Sequence, residues 1–296
     1  MIENQESYTA KLCAFARAWH SNTARQKIFD DYLAYDLMGW EAYESVKQQI
    51  LRDYTDGTRE DFIRFLNTYF VPIPLSRLRF TESRLRRFAE NEPVQYVICG
   101  AGADSFSFRN PDPRIEVFEV DHPDTQRYKR ERIRSLEWNV PKNVHFVPVD
   151  FEKETMISGL LSAGFSTEKK TFFSILGVSY YLSLPIFSET LRQIAALSQL
   201  GSVVVFDFPL KGEGFPPRVA ELERITETLG EQMQGGFTYA DISRALYALG
   251  FQIDTYLPPE KVQDAYYKDR TDGLTAFENV SLLSATFTNG RTYEEH

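Results

Sequence analysis

The chain has 296 residues, of which 43% are hydrophobic and 25% charged, a composition typical of a soluble globular protein rather than a disordered one. Its formal net charge of −9 at pH 7 disfavours binding to nucleic acid, because proteins that bind phosphate backbones usually carry a basic face. The two cysteines form no metal or redox motif, the N-terminal segment lacks the features of a signal peptide, and no apolar run approaches the roughly 20 residues that span a bilayer, so we expect a cytoplasmic protein without a membrane partner.

Residues 1–90 are predicted to form an N-terminal helical layer that serves as a lid. Leu12, Phe15, Ala16 and Trp19 are spaced at i, i+3, i+4 and i+7, which places them on one face of a helix. Further helical patterns cover Asp31–Met38, Trp40–Arg52, Arg59–Phe70 and Glu82–Ala89. Pro72 and Pro74 are predicted to interrupt the pattern before the last of these helices.

From residue 91 the pattern changes to strands that alternate with helices. Apolar runs predict five strands, at Gln95–Cys99, Arg114–Val120, Val144–Val149, Thr171–Leu176 and Ser202–Phe206. Helical stretches separate them, for example Thr125–Trp138 and Phe187–Leu200. Because nearly continuous apolar strands that alternate with helices form parallel sheets covered on both faces, residues 91–296 are predicted to form one α/β domain.

The last part of the chain is predicted to add two more strands. A polar excursion, Lys211–Gly236, follows the fifth strand. Thr238 and Asp241 then match a capping box, which predicts a helix that ends at Gly250. The final two strands are predicted at Phe251–Leu257 and Val280–Phe287.

A glycine turn follows the first strand, at the edge where open parallel sheets bind their ligands. Gly100 and Gly102 permit a tight turn that lies close to a ligand, although a turn without a ligand would explain them equally well. Ser105 stands where a dinucleotide-binding motif has its third glycine. The sequence therefore favours a nucleoside cofactor that has no pyrophosphate over NAD.

Acidic residues end the second and third strands. Asp121 could accept both ribose hydroxyls of a nucleoside, and its combination with the glycine turn is much rarer than either feature alone. Asp150 could accept an adenine amino group, with Phe151 donating its backbone N–H. A helix cap explains Asp150 equally well.

An arginine cluster lies just before the sheet, at Arg77, Arg79 and Arg84. A guanidinium fork suits a ligand carboxylate, but for two of the three we expect a solvated helix face. His122 could act as a base, although a turn residue is the expected role. The histidines show no metal-binding spacing, so no metal is expected.

These segments, taken in order, resemble the leucine carboxyl methyltransferase family, which includes bacterial polyketide O-methyltransferases. The resemblance covers most of the chain and is carried by TAKLCAFARAWHS, IFDDYLAYDLMG, SRLRF, VICGAGADSFSFR, FEVDHPDTQRYK, NVHFVPVDFE, TFFSILGVSYYL, GSVVVFDF and RTDGL. It implies a Rossmann-like, seven-stranded class I methyltransferase sheet with an N-terminal helical layer over the active site.

The resemblance also implies that S-adenosylmethionine is the cofactor. Arg77 would hold its carboxylate, the glycine turn would lie under its methionine portion, Asp121 would hold its ribose, and Asp150 and Phe151 would flank its adenine. Many relatives have a glutamate where this chain has Leu176. The backbone around Gly177 is then a candidate for binding the cofactor's ammonium group.

The predicted function is O-methylation of a small-molecule carboxylate or hydroxyl, with Tyr180 and Tyr181 lining the pocket and orienting the acceptor. Two alternatives stay open from the sequence. One is an NAD(P)-dependent oxidoreductase on the same sheet, which Ser105 disfavours. The other is a non-catalytic member that binds the cofactor, which Leu176 keeps open.

Overall fold

The computed structural model describes residues 8–150, 154–234 and 236–290. Its strands are β1 (Val94–Cys99), β2 (Ile115–Asp121), β3 (Val144–Pro148), β4 (Thr171–Ile175), β5 (Val203–Pro209), β6 (Phe251–Leu257) and β7 (Val280–Phe287). In this described part of the chain the seven strands form one sheet in the order β3-β2-β1-β4-β5-β7-β6. Strands β1 to β5 run parallel, and β7 lies antiparallel between β5 and β6. The expected seven-stranded α/β sheet is confirmed.

Helices precede the sheet and connect its strands. Those before β1 are α1 (Tyr8–Thr23), α2 (Ala34–Met38), α3 (Trp40–Tyr54), α4 (Arg59–Tyr69) and α5 (Pro72–Phe88). Those after β1 are α6 (Phe106–Arg109), α7 (Pro123–Ser135), α8 (Met156–Ser162), α9 (Leu184–Leu197), α10 (Pro217–Thr228), α11 (Tyr239–Ala248) and α12 (Pro259–Val262). Helix α10 lies within the polar excursion, and the predicted capping box starts α11.

The sheet separates two hydrophobic cores, because successive residues of a strand point to opposite faces. Tyr96 and Phe172 face one core, together with Phe15 of α1 and Leu85 of α5. The next residues along these strands, such as Phe173, face the other core, which α8, α9 and α11 cover. The helices before β1 thus cover one face of the sheet.

The helical pattern does break before Pro72, since α4 ends at Tyr69, but the prediction that the next helix begins only at Glu82 is wrong. Helix α5 begins at Pro72 and continues for 17 residues, so Glu82–Ala89 is only its last part. Proline is well suited to the first turn of a helix, where its missing N–H has no partner to lose and its fixed φ matches the helix. The long α5 carries Arg77 to Asp207 of β5 and Glu82 to Arg109 of α6.

A buried ion-pair network joins the helices before β1 to the glycine turn. Asp31 is only 1% exposed and accepts hydrogen bonds from Arg17 Nε at 2.9 Å and from the hydroxyl of Ser105. Arg109 Nε lies 3.2 Å from the same carboxylate. Arg17 also donates to the carbonyl oxygen of Ala103 at 2.6 Å. Ser105, which replaces a third glycine, therefore connects the two parts of the fold.

Asp31→Asn is expected to lower the free energy of unfolding by about 3–5 kcal/mol, because it leaves buried arginines without their shared counter-charge. Urea unfolding measures the loss. The matched control is Asp30→Asn, since Asp30 pairs with Lys27 at the surface. That variant should stay within about 1 kcal/mol of the wild type. Equal effects of the two substitutions would contradict the network's role.

His20 is expected to make stability depend on pH. Its buried Nε2 accepts the Ile28 amide at 3.0 Å, and burial lowers the pKa of His20 from 6.5 to about 4. Between these values the unfolded chain binds a proton that the folded chain does not bind. The contribution of His20 to the free energy of unfolding is thus complete above pH 6.5. It is lost, by up to about 3 kcal/mol, as the pH falls towards 4.

His20→Gln keeps a hydrogen-bond acceptor but does not titrate. Its free energy of unfolding, measured in urea from pH 7 to pH 4, should fall less steeply than that of the wild type. Parallel curves for the two proteins would show that His20 does not cause the dependence.

Candidate functional site

The order of strands reverses between β1 and β4, so the turns that leave their carboxyl ends diverge and form a crevice. Gly100 has φ +76°, and a Cβ placed on it would lie 2.8 Å from Val178 Cγ2. Gly102 has φ +47°. Left-handed backbone and close approach both require glycine at position 100. The predicted glycine turn therefore lies at the switch point of the sheet.

Asp121 lies at the end of β2 and contacts this glycine turn. Its Oδ2 accepts the Gly102 N–H at 2.5 Å, and its Oδ1 accepts the His122 N–H at 2.7 Å. Burial raises the pKa of Asp121 above its usual value, and the two amide bonds oppose that rise. The side chain of His122 caps α7, where its Nδ1 accepts the Asp124 N–H at 3.3 Å. Asp121 thus presents a half-buried carboxylate beside the crevice.

Asp150 follows β3, next to Asp121. The N–H of Val149 donates to the carbonyl oxygen of Asp121 at 2.9 Å, which places Asp150 at the same edge of the sheet. The carbonyl oxygen of Asp150 accepts the Glu154 N–H at 2.9 Å. Phe151 lies outside the described residues. The adenine-binding role of Asp150 and Phe151 stays a prediction.

Of the three clustered arginines, Arg77 is the one at the crevice. Its Nη1 lies 3.3 Å from Asp207 Oδ2 and 2.5 Å from where a Cβ of Gly177 would be. Burial lowers the pKa of Arg77, but the Asp207 carboxylate, together with Cys13 and Tyr180, more than offsets burial, so the pKa of Arg77 is raised. Arg79 instead lines a polar cavity with Glu82, and the guanidinium of Arg84 lies over the ring of Phe80.

Asp207 organises the β4 side of the crevice, a role that sequence reasoning did not assign to it. It lies within β5, is 0% exposed, and accepts the Gly177 N–H at 2.8 Å through Oδ1. Its Oδ2 accepts the Tyr180 hydroxyl at 2.8 Å. The signal in the sequence is an acid inside the apolar run VVVFDF. A charged residue in a buried strand must have partners.

Tyr180 and Tyr181 form a 3₁₀ turn with Ser179 after β4. Tyr180 is 5% exposed, and burial raises the pKa of its hydroxyl well above the usual value. Burial also raises the pKa of Tyr181. Both phenols therefore stay protonated at neutral pH.

Leu176 is half-buried and follows Ile175 at the end of β4. Ile175 pairs with Phe206, which directly precedes Asp207.

Helix α1 covers the crevice. Cys13 Sγ lies 3.5 Å from Arg77 Nη2, and Ala10 Cβ lies 3.9 Å from where a Cβ of Gly102 would be. A cavity of about 190 Å³ opens beside Gly102 between α1, α2 and α7. The crevice is thus enclosed by sheet turns below and by the first helix above.

The sequence of residues 10–195 matches the model of the family described as leucine carboxyl methyltransferase. The chain is 33% identical over 302 residues to the Bacillus subtilis (strain 168) protein named "Putative S-adenosyl-L-methionine-dependent methyltransferase YktD". That alignment covers 96% of this chain and 99% of the relative.

Two solved structures share the fold at low sequence identity. A DUF574 family protein from Streptomyces avermitilis is 12% identical with a TM-score of 0.59, covering 97% of this chain and 99% of its own. A Thermobifida fusca YX protein is 13% identical with a TM-score of 0.56, covering 97% of each chain. The sheet is that of class I methyltransferases. The described helices include none that is both long and apolar enough to cross a membrane.

Gly100→Ala is expected to destabilise the protein by more than Gly164→Ala. Alanine at either positive φ costs about 1–2 kcal/mol. Gly164 has φ +92° and free space around it, whereas at Gly100 the added methyl group meets Val178, for about 1–3 kcal/mol more. Urea unfolding of the two variants gives the difference. Equal losses would show that the turns after β1 and β4 do not need this close approach.

Proposed function

The chain belongs to the leucine carboxyl methyltransferase family and is an S-adenosylmethionine-dependent methyltransferase, and from this premise we propose that it methylates an oxygen atom of a small molecule, with a carboxylate as the favoured acceptor. Family membership excludes the alternative of an NAD(P)-dependent oxidoreductase. The hydrogen bonds around the crevice support one class of methyl acceptor over the other.

The carboxylate is favoured because the acids that lie around the crevice, Asp121 and Asp207, already accept hydrogen bonds from the protein and are not free to act as a base. Tyr180 donates to Asp207, and both tyrosine hydroxyls have a raised pKa through burial. His122 uses Nδ1 to accept an amide of its own helix. A hydroxyl acceptor would need a base, whereas a carboxylate is already ionised at neutral pH. Tyr181 and Tyr180 would then line and orient an anionic acceptor.

The residues around the crevice fit the cofactor. Side chains at Gly100 or Gly177 would fill the space between the turns, since their Cβ atoms would meet Val178 and Arg77. We assign the cofactor's carboxylate to Arg77, its methionine portion to the turn of Gly100 and Gly102, and its ribose to Asp121. Asp150 and Phe151 would flank the adenine. A guanidinium and a carboxylate suit these two ends by charge and by hydrogen bonding.

The protein's contribution to the reaction is positioning and exclusion of water. The cofactor supplies a methyl group that its sulfonium already activates. Aligning an acceptor oxygen with that methyl group can supply about 7–11 kcal/mol of the barrier. The cover formed by α1 around Cys13 would keep water out of the crevice.

Methyl-labelled S-adenosylmethionine, incubated with the protein and a panel of small carboxylic acids and phenols, tests the acceptor. Transfer to an acid, with label released as methanol by mild alkali, is the expected result because methyl esters hydrolyse in base. Alkali-stable label on phenols only would overturn the carboxylate. Cofactor binding without any transfer would favour the non-catalytic alternative.

Asp121→Asn is expected to weaken binding of S-adenosylhomocysteine at least about tenfold, because hydrogen bonds to a charged group contribute about 1.5–3 kcal/mol each. Calorimetric titration measures the affinity. The control is Asp124→Asn, which removes an acid from the first turn of α7 that pairs with Arg127. Wild-type affinity in Asp121→Asn would show that the ribose binds elsewhere.

A further inference from the structure

A single carboxylate, that of Asp207, connects three segments around the β4 side of the crevice. Its Oδ1 accepts the Gly177 N–H at 2.8 Å, and its Oδ2 accepts the Tyr180 hydroxyl at 2.8 Å. The same Oδ2 lies 3.3 Å from Arg77 Nη1. Gly177 and Tyr180 belong to the turn after β4, whereas Arg77 comes from α5 in the helical layer. The position of all three donors thus depends on one acid.

The burial of Asp207 makes this arrangement rigid. The residue is 0% exposed, and an uncompensated charge at such a place costs several kcal/mol. The carboxylate therefore holds its donors where they are, since moving any one of them leaves the charge less well satisfied. The hydroxyl of Ser179 also donates to the carbonyl oxygen of Asp207 at 2.7 Å, which fixes the backbone of the turn to β5.

The ion pair with Asp207 holds Arg77 in place but leaves some of its N–H groups for a ligand. A guanidinium has five N–H donors. The contacts described for Arg77 are the 3.3 Å contact with Asp207 and a 3.5 Å contact from Nη2 to Cys13 Sγ, a weak acceptor. The side chain of Arg77 remains 11% exposed, in contrast to the complete burial of its partner. The guanidinium packs against Gly177, since a Cβ on that glycine would lie 2.5 Å from Arg77 Nη1 and 2.8 Å from Nη2.

We propose that Asp207 is a positioning residue for the amino-acid half of the cofactor: it aims the Arg77 guanidinium at the methionine carboxylate without touching the ligand. This inference rests on the proposed placement of that carboxylate at Arg77. Asp207 acts through Arg77, so its removal affects only ligands that carry the amino-acid group. The nucleoside half binds on the other side of the crevice, at Asp121.

The test compares two ligands by calorimetric titration: S-adenosylhomocysteine, which has the amino-acid group, and 5′-methylthioadenosine, which lacks it. For Asp207→Asn the affinity for S-adenosylhomocysteine should fall at least about tenfold, while that for 5′-methylthioadenosine changes less than about twofold. Equal losses for both ligands, or no loss for either, would overturn the proposal. Wild-type protein that binds neither ligand would overturn the proposed function as well.

A double-mutant cycle with Arg77→Met tests whether the effect passes through the arginine. In that background, Asp207→Asn should change the affinity for S-adenosylhomocysteine less than twofold. A further tenfold loss would mean that Asp207 acts independently of Arg77 and would overturn the proposal.

Glu119→Gln is the matched control. Glu119 is also 0% exposed and pairs with a buried cation, with Lys129 Nζ at 2.5 Å. Its loss should lower the thermal midpoint of unfolding but leave the ratio of the two affinities unchanged. A ratio that falls as much as in Asp207→Asn would show that loss of any buried acid produces the effect, and so overturn the proposal.

A crystal structure of the wild-type protein with S-adenosylhomocysteine decides the matter if Asp207→Asn does not fold. The proposal requires that Arg77 keep its contact with Asp207 while it binds the ligand carboxylate. An Arg77 side chain that has left Asp207 to reach the ligand would overturn it.

Discussion

Gly100 and Val178 approach so closely that a methyl group on the glycine would lie 2.8 Å from the valine. This contact joins the turns that leave two adjacent parallel strands, β1 and β4, in opposite directions. The crevice exists because the turns are in contact at their base and separate above it. Asp121 lies on the β1 side and Asp207 on the β4 side. The two sides of the candidate cofactor site therefore meet where these two turns are in contact.

Two arginine–aspartate pairs attach the helical layer to the sheet. Arg77 of α5 reaches Asp207 of β5, and Arg109 and Ser105 beside the glycine turn reach Asp31, which also pairs with Arg17 of α1. Apolar packing alone would permit small shifts of one layer over the other. Buried charges do not, because a displaced pair leaves an unsatisfied ion in a medium of low polarity. The layer is thus held in one register over the crevice.

The first five strands could be predicted from the sequence because each is an apolar run that ends at glycine or an acid, as Gln95–Cys99 does before Gly100. Pro72 misled the prediction, since proline interrupts a helix interior but starts a helix well, and local sequence does not distinguish the two. The glycine turn and Asp121 were found from spacing along one strand–turn–strand unit. The pairing of Arg77 with Asp207 was not found, because it joins residues that only the completed sheet brings together.

The same pairing has a consequence for how the protein is made. Arg77 and Asp207 are 130 positions apart, and Ser105 and Asp31 are 74 apart. A ribosome releases the helical layer first, long before β5 exists to receive Arg77. Contacts between residues so distant in sequence form late and slow down folding. Helix α5 therefore cannot pair with Asp207 until β5 has been synthesised, and the crevice is completed only then.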